Sequence, residues 1–237
     1  MNTAATPPAN ANAFPGDGQA AKVPAMTSAW LKKLQGKFLV FDGPDGSGKS
    51  TQFRRFSLLL RQSGVPVCEV REPGGTVVGE HIRQVLLDPD HHMIDLRCEM
   101  LLYMASRAQL MAERITPALG RGDCVLADRF ISSTLAYQGA AGGLDTQDIM
   151  QVGRVALSDH WPDLVVIFDV DGPTAATRLN PLLDRMEQKG AEYHARVRKG
   201  FLDQARDDPE HHLVIDARPD AEAVFADLRS QLESHFT

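Results

Sequence analysis

Short, nearly unbroken apolar runs recur along the chain: Phe38-Leu39-Val40-Phe41, Val67-Cys68-Glu69-Val70, Cys124-Val125-Leu126-Ala127, Leu164-Val165-Val166-Ile167-Phe168 and Leu213-Val214-Ile215. Runs of this length that do not alternate with polar residues predict strands covered on both faces, and the stretches between them are long enough for helices. Two helices are legible from their ends, one over Ser50 to Gln62 closed by Ser63-Gly64, and one over Asp95 to Leu119 closed by Gly120 with Pro117 just before it. The alternation predicts an α/β fold with a parallel sheet between helical layers, and ligands at the carboxyl ends of its strands.

Upstream of Trp30 the pattern fails. Residues 1–29 are rich in Ala, Asn, Pro and Gly and carry few large apolar groups, so burial cannot offset their ordering entropy; they predict a disordered tail ahead of one domain over 30–237. At 237 residues the chain can bury a sizeable core. Its net charge of −6 provides no chain-wide positive field for nucleic acid or an anionic membrane, so an anion must be met by a local pocket. No stretch approaches a membrane span, and the N-terminus lacks a basic start and an apolar core of a signal peptide. Cys68, Cys98 and Cys124 are far apart, as free thiols of a cytoplasmic protein would be.

The first strand run ends in Asp42 and leads into Gly43-Pro44-Asp45-Gly46-Ser47-Gly48-Lys49-Ser50, which fits G-x-x-x-x-G-K-[ST], with Thr51 following inside the helix. A strand, a glycine-rich turn and a helix start in that order aim successive backbone N–H groups at a phosphate chain. Lys49 is placed for the β- and γ-phosphates of ATP and the Ser50 hydroxyl for Mg²⁺. Asp45 sets a carboxylate beside a site for anions, an unfavourable arrangement unless a sugar hydroxyl or a metal-bound water engages it.

Val70-Arg71-Glu72-Pro73-Gly74-Gly75-Thr76 leaves the second strand at the same sheet edge, where the Arg71 guanidinium can hold phosphate. Asp128-Arg129 leaves the third. Asp128 suits the water shell of Mg²⁺, and the planar fork of Arg129 suits an acceptor phosphate. Singly, either arginine would read as a surface ion pair.

With these blocks in view, FDGPDGSGKSTQ, REPGGT, LLYMASRAQL, DRFISSTLAYQG, PDLVVIFDV and LLDRMEQ resemble the bacterial thymidylate kinases in order and spacing, from about residue 37 to the C-terminus. The resemblance implies a three-layer P-loop NTPase fold with a five-stranded parallel sheet, a short helical lid over about 174–192, a homodimer, and transfer of phosphate from ATP to dTMP with Mg²⁺. It implies that Tyr103 stacks on thymine and that Arg107, four residues on and on the same helix face, reaches a base carbonyl. Arg129 corresponds to the clamp on the acceptor phosphate, while Arg71, Glu72 and Pro73 belong to its turn. Ser133, Thr134, Tyr137 and Gln138 correspond to the wall around base and sugar, and Asp45 to the P-loop acid that approaches the sugar. Where part of the family carries a P-loop arginine this chain has Gly46, so the catalytic arginine is expected from the lid, as Arg178 or Arg185. Asn180 and Pro181 stand where more basic lid residues are common. Asp184 and Glu187 resemble acids that steady the lid, and Asp216-Ala217-Arg218 falls where the adenine loop lies.

His91-His92 and His211-His212 lack zinc-site spacing and predict solvated loops. The Met and Leu pattern from Glu99 to Met111 predicts core packing. Two other functions stay open at this point. One is a kinase of another pyrimidine monophosphate or a deoxynucleoside, which a panel of acceptors separates. The other is a P-loop ATPase switch, which would have no use for Arg71, Tyr103, Arg107 and Arg129 around an acceptor.

Overall fold

The computed structural model describes residues 29–158, 160–179 and 184–237. The expected tail falls almost wholly on residues 1–28, outside the described ones; Ala29 already opens the first helix, α1 (Ala29–Lys32). Each apolar run forms a strand: β1 (Phe38–Asp42), β2 (Val67–Arg71), β3 (Cys124–Asp128), β4 (Leu164–Asp169) and β5 (His212–Asp216). They pair in parallel as a 5-stranded sheet in the order β2-β3-β1-β4-β5.

Successive residues of a strand face opposite sides of a sheet. Leu39 and Phe41 of β1 join one buried cluster with α1, α2 (Lys49–Gln62) and α10 (Ala221–Phe236), where Phe41 meets the rings of Phe53, Phe56 and Phe168. Phe38 and Val40 join the other, with residues of α4 (Leu96–Leu110), α7 (Thr146–Leu157) and α9 (Ala191–Asp207). Each fully buried aromatic contributes about 2 kcal/mol of transfer free energy, so both faces must stay covered. This is the three-layer arrangement expected from the pattern.

The remaining helices carry the site. α3 (Val77–Leu87) is capped by Thr76, whose side chain accepts from the Gly79 N–H. α4 is capped by Asp95 and continues through a π turn over Met111–Ile115 into α5 (Thr116–Gly120), one long helix as expected but with a widened turn. Pro117 lacks an N–H and its ring crowds the carbonyl four residues back, which the wider turn accommodates. α6 (Ile131–Thr134) leads into a second π turn over Leu135–Ala141. α8 (Gly172–Ala176) begins just ahead of the segment expected to form a lid, and residues 180–183, with the expected departure at Asn180 and Pro181, lie outside the described ones.

Cys68 and Cys124 are buried, Cys98 is exposed, and all three are free. His91, His92 and His211 are exposed and His212 is partly so. Among the described residues, no helix is long and apolar enough to cross a membrane.

Candidate active site

β1 delivers the phosphate loop to the sheet edge. Gly43 has φ +136°, and a Cβ there would lie 2.5 Å from the Phe168 carbonyl oxygen, so only glycine lets the loop pass this close to β4. Gly48 is the N-cap of α2 at φ 79° and supplies no side-chain cap, whereas α3, α4, α7 and α10 each have one. The first N–H groups of α2 are thereby left for an external acceptor. The Ser47 hydroxyl of the same loop is buried and has no hydrogen-bond partner among the described residues. Pro44 and Thr51 shape the turn and first helical turn, the Ser47 N–H bonding to the Pro44 oxygen and the Thr51 N–H to Gly48.

Lys49 is buried beside this loop. Burial and the charge of Arg129 pull its ammonium below the usual lysine range, against Asp45, Asp128 and Asp42. A phosphate would relieve both effects. The Ser50 hydroxyl donates to Asp128 Oδ2 at 3.2 Å, so two hard oxygen donors sit together at the mouth of the loop. That donor set suits Mg²⁺, which takes few protein ligands and completes its shell with phosphate and water. Among the described residues, no group of three or more His, Cys, Asp or Glu forms a denser metal site.

A cleft of about 250 Å³ opens next to Lys49, and its lining brings together every expected acceptor-side residue: Arg71, Glu72, Pro73, Tyr103, Arg107, Arg129, Ser133, Thr134, Tyr137 and Gln138, along with Asp45, Ser50 and Asp128. They come from the ends of β2 and β3, the inner face of α4, and α6 with its π turn. The wider π turn lets the consecutive residues Tyr137 and Gln138 both face the cleft.

Polar contacts hold these side chains in place. Arg107 is buried, and its Nε donates to both Glu72 oxygens at 3.1 and 2.8 Å while Nη2 reaches Thr134 Oγ1 at 3.2 Å. Burial pushes the Glu72 carboxyl up to about 7, against the pull of Arg107. Glu72 therefore braces the arginine, and its peptide bond to Pro73 is cis. Arg71 forks onto Glu80 at 2.9 and 3.0 Å. Arg129 takes a left-handed backbone at φ 69°, and its Nη1 donates to Asp42, the Gly43 oxygen and Ser133. Its Nη2 pairs with Asp45, whose other oxygen accepts from the Tyr137 hydroxyl at 2.6 Å. Burial would raise the Asp45 carboxyl, but Arg129, Lys49 and Tyr137 together hold it below the usual range. Arg129 and Tyr137 thus fix the Asp45 carboxylate at the edge of the cleft.

The two arginines expected from a lid lie outside the cleft lining. Arg178 donates to the Ala217 and Arg218 oxygens at 2.7 and 2.9 Å, resting on the loop after β5. Arg185 is buried, with Nε on the Leu86 oxygen at 2.6 Å and Nη2 2.6 Å from Glu99. Neither lines the cleft, whereas Asp184 and Glu187 do. Asp184 accepts from the N–H groups of Met186 and Glu187, and Glu187 returns a bond to the Asp184 N–H.

Three residues that the sequence did not single out matter here. Asp42, wholly buried, accepts from the Gly43 N–H, Ser132 and Ser133; its signal was an acid closing an apolar strand directly before Gly43. Arg83 lines the cleft and donates to the Pro73 oxygen, with burial and Arg71 pulling it below the usual guanidinium range. Glu99 is buried and charged-paired, so the segment from Glu99 to Met111 is not core packing alone.

A sequence profile of the family described as thymidylate kinase matches residues 41–228. The chain belongs to the thymidylate kinase family. A thymidylate kinase of Desulforudis audaxviator is 41% identical over 210 residues, which span 86% of this chain and 95% of that one. The thymidylate kinase of Deinococcus radiodurans is 46% identical over 193 residues, 79% of this chain and 92% of its own. Among solved structures, the thymidylate kinase of Ehrlichia chaffeensis superposes with a TM-score of 0.70 at 32% identity, covering 84% of this chain and 99% of that one.

Proposed function

We propose a division of labour for phosphoryl transfer from ATP to dTMP, giving ADP and dTDP, the reaction of the family to which this chain belongs. The observation that carries it is the meeting of Lys49 with Arg71, Arg107 and Arg129 around one cleft. Two anions can lie end to end there, the donor on the phosphate loop and the acceptor among guanidinium groups.

On the donor side, the loop from Gly43 to Thr51 wraps the phosphates with backbone N–H groups and Lys49. Ser50 and Asp128 would hold Mg²⁺, which screens the repulsion between donor and acceptor phosphates when bound. On the acceptor side, Arg129 and Arg71 bind the monophosphate, Tyr103 stacks on the base, and Arg107, braced by Glu72, meets a base carbonyl. Tyr137 with Asp45 borders the sugar, and Ser133 and Thr134 complete the wall. Charge that develops on the transferring group is met by donors already fixed in place, which is where such donors act most strongly. Arg178 and Arg185 remain the lid's candidates for the last cation.

Val77, Val78 and Val85 on α3, Leu101 on α4 and Val155 on α7 are exposed apolar residues on helices that pack side by side, which supports a homodimer through that face. The free cysteines support a reducing, cytoplasmic setting.

Coupled ADP-release assays across dTMP, dUMP, dCMP and thymidine test the assignment. A clear preference for dTMP is expected; equal turnover of all four, or ADP release indifferent to any acceptor, overturns it.

A further inference from the structure

The lid and the acceptor wall share one buried acid. Glu99, 1% exposed, lies one turn before Tyr103 on the inner face of α4. Its Oε1 accepts from Gln138 Nε2 at 2.7 Å. Nη2 of Arg185 lies 2.6 Å from Oε2, an ion pair by proximity whose N–H is not aimed at the oxygen. Lys189 Nζ stands 3.6 Å from Oε1. Two lid cations thus balance the charge of Glu99, and the Leu86 carbonyl holds Arg185 in place through its Nε.

The contact with Gln138 has a direction. An ionised carboxylate only accepts, whereas an amide side chain has one donating end and one accepting end. Opposite Glu99, Gln138 must therefore turn its nitrogen to the acid, which leaves its oxygen for the cleft it lines. A base edge set against that oxygen has to donate. Thymine offers a ring N–H between two carbonyls, while neutral cytosine offers a bare ring nitrogen that would put lone pair against lone pair.

We propose that Glu99 is a specificity-determining positioning residue: by fixing the amide of Gln138 it selects pyrimidines that donate from the ring nitrogen over those that accept there. The inference rests on the acceptor pocket described above. Glu99 touches no substrate in this scheme and acts through Gln138 alone.

The test is the Glu99→Gln variant, in which two amides face each other and Gln138 can pair either way round. The ratio of kcat/KM for dTMP to that for dCMP is expected to fall about tenfold, because an amide free to turn can answer either base edge. KM for ATP should move little. A purely structural role would lower turnover of both acceptors and leave their ratio unchanged, and that result in a folded variant overturns the proposal. Because Glu99→Gln strands the buried Arg185, the pair Glu99→Gln with Arg185→Met repeats the measurement without a stranded buried guanidinium, leaving the more exposed Lys189 to solvent. Should both variants fail to fold, a neutron diffraction structure of the unaltered protein with dTMP, in which the amide hydrogens are seen, decides. The Gln138 nitrogen turned toward the base ring overturns the proposal, and the oxygen turned there supports it. Failure of the unaltered protein to phosphorylate dTMP at all would instead remove the acceptor reading, a separate outcome.

Discussion

Asp45 and Arg129 are ion-paired across the sheet edge, the acid from the phosphate loop and the guanidinium from the first residue beyond β3. The pair links the phosphate loop to the end of β3, and Arg129 keeps further partners in Asp42, the Gly43 oxygen and Ser133.

Arg129→Ala should lower kcat/KM for dTMP about a thousandfold, since charge-assisted contacts to a transferring group act mainly in the transition state. ATP affinity, measured by direct titration, should change by less than about threefold. A parallel loss of ATP binding would assign Arg129 to the donor instead.

Tyr103→Ala should raise KM for dTMP about tenfold with a smaller effect on kcat, because a stacking ring binds ground state and transition state alike. Steady-state kinetics at saturating ATP give both numbers. An unchanged KM would place the base elsewhere.

The Asp45 carboxyl is held below its unfolded value of 3.8, so its contribution to stability is complete above that pH and is lost as pH falls through the lower folded value. Denaturant midpoints of the unaltered protein and Asp45→Asn should therefore differ by a constant amount from about pH 7 to about pH 5 and converge below about pH 4. A gap that widens toward acid would contradict the ion pair.

Gly46 has φ +75°, and a Cβ on it would lie 2.5 Å from the Ala175 carbonyl oxygen of α8. Gly46→Arg should not install a working loop arginine. It should displace α8, cost about 2 kcal/mol or more of stability by chemical denaturation, and raise KM for ATP. A variant as stable and active as the parent would show that the lid hinge yields freely.

Much of this site was legible because its chemistry depends on backbone geometry that leaves a sequence trace. Gly43 to Ser50 between a strand and a helix, and Arg129 at a strand end, are such traces, and the apolar runs located every strand among the described residues. Asp42, Arg83 and Glu99 were not found, since their importance comes from contacts across long sequence separations, such as Glu99 with Arg185 and Asp42 with Ser132. Spacing alone could have raised Glu99, which sits four residues before Tyr103 and eight before Arg107. The lid was the least legible part. Arg178 and Arg185 are engaged by main-chain oxygens of other segments, and no local pattern encodes a carbonyl.

The left-handed backbone of Arg129 sets a limit on how this protein can be improved. Asparagine or glycine would sit more comfortably at φ 69°, so a search for thermal robustness would favour replacing a guanidinium proposed for the acceptor phosphate. At this position, durability and chemistry select for different residues.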